Sequence, residues 1–140
     1  MPTMMRTLEQ LITLRNRKVR DLSGQLSSQQ QLCQRYDRNI QALQSLSTAP
    51  PSEGGHVAMM LNEAQYKKNL QRILNWQKQE QALATLKAQQ LQQNLLHEAR
   101  REKGFQLALD QRRDTAQAEE GRKAQKQTDA LAAQFWQRRQ

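Results

Sequence analysis

Two histidines, His56 and His97, one cysteine, Cys33, and thirteen carboxylates are the side chains here from which chemistry could be built. A catalytic nucleophile needs a base within hydrogen-bond reach. The two histidines are far apart in the chain, and no spacing brings Cys33, or a Ser with an Asp, to either of them. No GxxxxGK[ST] or GxGxxG phosphate loop occurs. One cysteine and two distant histidines supply no zinc ligand set, and a lone cysteine closes no disulfide within the chain. The carboxylates stand beside Arg or Lys at helical spacings, as Glu98 and Glu102 do around Arg101, and read as surface ion pairs of small worth. The chain is therefore expected to be non-enzymatic and to need no cofactor and no metal. Its function would be binding.

The elements that must carry such binding are helices. Among 140 residues, 36% are apolar and 4% aromatic, and mean hydropathy is −0.98. That is too little apolar material for a many-layered core, but enough for a two-helix seam with two or three core positions in seven. There are 25 Gln, many Leu, Ala, Arg and Lys, and few β-branched residues, a composition that favours helix over sheet.

A first helix is expected over about residues 4–47, with Thr7 and Gln10 at capping-box spacing and an earlier start at Thr3 as the alternative. Its seam follows a 4-3 rhythm through Leu8, Ile12, Arg15, Val19, Leu22, Leu26, Gln29, Cys33, Tyr36, Ile40 and Leu43, apolar at all but Arg15 and Gln29. A turn is expected over about 48–55, where Pro50-Pro51 and Gly54-Gly55 stop the helix. A second helix is expected over about 56–138, with a less regular apolar rhythm and with Gly104 and Gly121 as soft points. The fold class predicted is all-α, a long antiparallel two-helix coiled-coil hairpin forming one domain, with a longer, overhanging second helix. Folding at about residue 52 would set Leu8 near Leu95 and Leu43 near Leu61. Everything after about Arg101 would then lack a partner, and this overhang ends in the apolar cluster of Leu131, Phe135 and Trp136. Tyr66 and Trp76, about 80° apart around a helix, cannot share one seam, so at least one is expected at the surface as a protein-binding anchor.

The net charge of +9 is spread along the chain, with short Lys/Arg runs broken by Glu and Asp. Arg15, Arg17, Lys18 and Arg20, with Arg100, Arg101 and Lys103, are weaker clusters than a DNA-reading basic helix carries, so no nucleic-acid partner is expected. No apolar run reaches membrane-spanning length, and the N-terminal stretch has no secretory h-region. The compartment expected is the cytoplasm.

Several patterns together resemble the FliJ family, the small coiled-coil component of the flagellar type III export apparatus, grouped with the YscO-like proteins of injectisomes. They are Leu8, Leu11, Leu14 and Arg15 at the start, the Gln-rich first helix to Tyr36, and the Pro/Gly turn. Gln65-Tyr66, Leu70 and Trp76 follow. The Gln/Arg/Asp/Glu/Lys run of 107–139 then carries Asp129, Ala130, Ala133 and Phe135. The resemblance implies a protein that enters the ring of the export ATPase (FliI-like), contacts the export gate protein (FlhA-like), escorts export chaperones, and meets the inner membrane only through these partners. It implies a gate patch of Tyr66, Leu70, Ile73 and Gln77 on the second helix with Gln29 and Tyr36, beside Cys33 and Ile40, on the first. The last four also fit the seam, which is the reading preferred for Cys33, Tyr36 and Ile40. Phe135 and Trp136, with Arg112 and Arg113, are assigned to the ATPase end. A structural coiled-coil tether or homodimeric spacer is the alternative, and a basic nucleic-acid-associated helical protein is the third reading.

Overall fold

A computed structural model of the chain describes residues 2–48 and 57–139. Two helices account for all of them but Thr48: α1, Pro2–Ser47, and α2, Val57–Arg139. The Pro50-Pro51 and Gly54-Gly55 turn and His56 lie outside the described residues. α1 begins at a proline, which loses no intrahelical hydrogen bond in a first turn. Thr7 therefore does not cap: it lies inside the helix, and its hydroxyl donates to the Thr3 carbonyl at 2.9 Å. At the other end the Thr48 amide donates to the Gln44 carbonyl at 3.1 Å. α2 continues unbroken through Gly104 and Gly121.

The helices pack antiparallel as an all-α hairpin, and the chain divides into two compact units. One is Arg20–Leu96; the other joins Met1–Val19 to His97–Gln140. Within Arg20–Leu96 the seam holds Ile40, Leu70, Leu74 and Ala84, all buried. Gln29, at a seam position, is buried too, and its side-chain amide donates to the Ala84 carbonyl at 3.0 Å. Gln81 donates to Asp37 across the pair. In the other unit Leu109 is the most buried apolar residue, at 3% exposure.

That second unit has a polar seam of its own. Arg15 Nη1 donates to Glu98 Oε2 at 2.7 Å, Lys18 Nζ lies 3.6 Å from Glu98 Oε1, and Asn16 donates to Glu102 at 3.0 Å. Glu98 is only 6% exposed. The expected surface pairing of Glu98 with its own helical neighbours is thus corrected: its partners stand on the facing helix. Burial alone pushes the Glu98 carboxyl up, but the Arg15 hydrogen bond and the charges of Arg15, Lys18 and Arg101 outweigh it, leaving the carboxyl below its usual value of 4.5. A lowered folded-state pKa gives stability that is present above the unfolded value and lost as pH falls through the folded one. The melting temperature should therefore drop as pH falls below about 4.5, and Glu98→Gln should flatten that slope while melting lower at neutral pH. Parallel melts between pH 3 and 7 would show it; equal slopes would exclude Glu98 as a source.

The pairing register differs from the one expected. Facing residues number to a total of 113 for Gln29 and Ala84 and for Arg15 and Glu98, and to 122 for Glu9 and Arg113. Folding at residue 52 would give 104. Pairing therefore does not stop near Arg101. It runs on through Leu109 and the Glu9–Arg113 bridge at 3.0 Å, and Ala116 is the last residue of α2 with any cover. Every described residue of 117–139 is exposed. The overhang is real but starts about four helical turns later than expected.

Candidate partner-binding surfaces

The clefts along the described helices are shallow and open, and the features that could carry function are exposed apolar side chains. In the unit Arg20–Leu96 they lie mainly on α2. Met59, Tyr66 and Ile73 follow one another at seven-residue spacing, and are 49%, 53% and 46% exposed. Such a spacing keeps them on one face of the helix. Trp76 and Leu83 repeat the same spacing further round, at 56% and 61% exposure. Leu83 lines a shallow cleft with Leu32 and Tyr36 of α1 and with Glu80, Ala84 and Lys87. Tyr36 and Leu83 therefore stand on the same flank of the hairpin. Cys33 opens instead onto a different cleft, with Leu26, Gln30, Thr85 and Ala88.

The residues assigned to a gate patch are thus distributed in depth. Tyr66 and Ile73 are at the surface, Tyr36 is half-buried at its edge, and Leu70 and Gln29 are seam residues at 7% and 8% exposure. Ile40 is buried as well, as the seam reading of α1 requires. Gln77 is half-buried, and its Oε1 is buried with no hydrogen-bond donor among the described residues. Leaving such an acceptor unsatisfied costs about 1–3 kcal/mol. Tyr66 and Trp76 are both exposed, where only one needed to be. Leu83 was missed, although its place seven residues after Trp76 is the signal that would have found it.

A further exposed run opens α2: Val57, Met60 and Leu61 are 72%, 62% and 66% exposed. It follows from the register, because α1 ends at Ser47 and, at the level of its last turn, faces residues beyond 65.

In the other unit Leu131, Phe135 and Trp136 are 59%, 70% and 68% exposed, the expected apolar cluster on an uncovered helix. Arg112 is exposed and Arg113 is half-exposed, with its guanidinium on Glu9. The two arginines stand several turns before the aromatics, so the structure does not bring these four residues together. Among the described residues no three His, Cys, Asp or Glu side chains converge as a metal site, and no described helix is long and apolar enough to cross a membrane.

The family model described as "Flagellar FliJ protein" matches residues 4–140 of the chain. No curated protein and no solved structure matches it.

Proposed function

This chain belongs to the FliJ family, a non-catalytic accessory family of flagellar export, and from that premise we propose that it couples the export ATPase to the export gate and escorts export chaperones. In this reading it works in the cytoplasm at the inner membrane, held there by its partners. The observation that carries the proposal is that each unit presents its own exposed aromatic cluster: Tyr66, Ile73 and Trp76 in one, Leu131, Phe135 and Trp136 in the other. Tyr and Trp are enriched among residues that dominate binding energy. Two separate clusters suit two partners.

The gate surface in this reading is Tyr66, Ile73 and Tyr36, with Trp76 and Leu83 extending it. Leu70 and Gln29 act from beneath, fixing the helix that presents the others, and half-buried Gln77 stands at the margin. The ATPase surface is Phe135 and Trp136, while Arg112 and Arg113 stand several turns earlier on the same helix and lend positive charge there, Arg113 partly neutralised by Glu9. Tyr66→Ala should weaken binding to a gate protein by about 1–3 kcal/mol, as interface anchors do, while ATPase stimulation is kept. Tyr66 is half exposed, so the melting temperature should stay within a degree or two of wild type. Titration of gate protein against both chains measures it. Unchanged gate affinity would reject Tyr66 as an anchor, and lost ATPase stimulation would reject the division of labour.

A further inference from the structure

We propose that Met59 is a redox-sensitive position of the gate surface: a peroxide converts its thioether to the sulfoxide, and the sulfoxide lowers affinity for the gate protein. This rests on the gate reading above and adds to it one residue and a means of regulation. Met59 is 49% exposed, on the stripe that continues through Tyr66 and Ile73 at seven-residue spacing. It stands in the first turn of α2, where Val57, Met60 and Leu61 are exposed as well. Its sulfur is therefore open to small oxidants in the free chain and covered once a partner grips the stripe.

The chain holds five methionines, of which Met1 lies outside the described residues. None of the other four is buried: Met4, Met59 and Met60 are 50%, 49% and 62% exposed, and Met5 is half-buried. Oxidation therefore puts no polar atom into the fully buried seam, and the hairpin keeps its packing. What sets Met59 apart is its place. Met60 lies about 100° round the helix from it, off the stripe, and Met4 belongs to the other unit. A thioether is flexible and polarisable and fits irregular apolar contacts. The sulfoxide is polar and holds water through its oxygen, and covering it against a surface with no donor placed for it is unfavourable.

The step balances with hydrogen peroxide as the only co-reactant. The sulfur lone pair attacks one peroxide oxygen, and the S–O bond forms as the O–O bond breaks. The departing hydroxide takes the proton from the oxygen that stays on sulfur and leaves as water. Sulfur gives up two electrons and the peroxide accepts them. Reductases specific for each sulfoxide epimer return the thioether, so the change is reversible. The competing target of peroxide is the half-buried thiol of Cys33, which the test removes.

Gate affinity of the full-length Cys33→Ser chain before and after hydrogen peroxide tests it, with peptide mass spectrometry locating the oxidised methionines. Oxidation should lower affinity about tenfold or more, and treatment with both reductases should restore it. Met59→Leu, close to methionine in volume, should bind like the untreated chain and keep that affinity after peroxide. Met60→Leu and Met4→Leu should lose affinity on oxidation as their parent does. Met59→Gln, polar without any oxidant, should bind like the oxidised chain. Melting temperatures should stay within about one or two degrees of the parent throughout. Tyr66→Ala on the same background separates this inference from the reading it rests on. If Tyr66→Ala keeps full gate affinity, the gate reading falls and the inference falls with it. If Tyr66→Ala binds weakly while the oxidised chain or Met59→Gln binds fully, the gate reading stands and the inference is overturned. Equal loss on oxidation in Met59→Leu and its parent overturns it in the same way.

Discussion

Leu74→Asp should abolish the pairing of α1 with α2 within Arg20–Leu96. Leu74 is 4% exposed, and only Ile40, Leu70 and Ala84 share its burial there among the described apolar residues. A two-helix seam has no second layer to absorb a defect. Removing a buried Leu side chain costs about 2–5 kcal/mol, against the roughly 5–15 kcal/mol that holds a small protein together. Aspartate adds the cost of an unpaired charge taken out of water. Leu74→Ala should accordingly lower the melting temperature by about ten degrees or more, and Leu74→Asp should remove the cooperative transition altogether. Leu22 and Leu26 are half-buried, so charged substitutions there should be milder. Leu96→Asp is the control, because Leu96 is half exposed. The measurement is thermal melting followed by circular dichroism at 222 nm. A Leu74→Asp chain that melted like wild type would show that the apolar seam does not hold this unit.

The first helix was readable because its pattern carries its own redundancy. All eleven positions of the 4-3 rhythm, from Leu8 to Leu43, are buried or half-buried, including the polar Arg15 and Gln29. Both polar exceptions are explained by what they meet: Arg15 finds Glu98, and Gln29 finds the Ala84 carbonyl. The register was not readable, for a physical reason. A heptad repeat looks nearly the same after a shift of one heptad, so apolar spacing alone does not say which residue faces which. Assuming a symmetric fold about residue 52 filled that gap wrongly. The polar matches break the degeneracy: a slip of one heptad would part Arg15 from Glu98 and Asn16 from Glu102, leaving a nearly buried carboxylate without its cations. Breaking such a pair costs far more than a surface ion pair is worth. A seam Arg and a Glu at a core-facing position of the second helix were both visible in the sequence, and matching them would have found the register.

The candidate surfaces were legible in part. The terminal aromatics stood out because no core could claim them, and the angle between Tyr66 and Trp76 forced one outward. Leu70 and Leu83 could not be sorted by residue type, because a leucine reads the same in a seam as on its flank. Only the register separates them, placing Leu70 against α1 and Leu83 beside Tyr36. The same register accounts for exposed Val57, Met60 and Leu61, residues that a symmetric fold would have covered.

Removing residues 120–140 should abolish stimulation of the export ATPase and leave the melting of the hairpin unchanged. The second half of the prediction follows from burial. Every described residue after Ala116 is exposed, so truncation removes no packed side chain, and the Glu9–Arg113 bridge and Leu109 both remain. Changes away from packed or paired groups usually stay within about 0.5 kcal/mol. The first half follows from the proposed role of Phe135 and Trp136 as the ATPase grip, since losing a central aromatic anchor costs about 2 kcal/mol or more in binding. Gate binding should survive, because Tyr66, Ile73 and Trp76 are untouched. Trp136→Ala should likewise lower ATPase stimulation with the melting unchanged, because Trp136 is exposed. If the truncated chain still stimulated the ATPase fully, the grip would have to be sought elsewhere. If Trp136→Ala kept stimulation while Phe135→Ala lost it, the grip would be the face of α2 that carries Phe135 and Leu131, with Trp136 outside it.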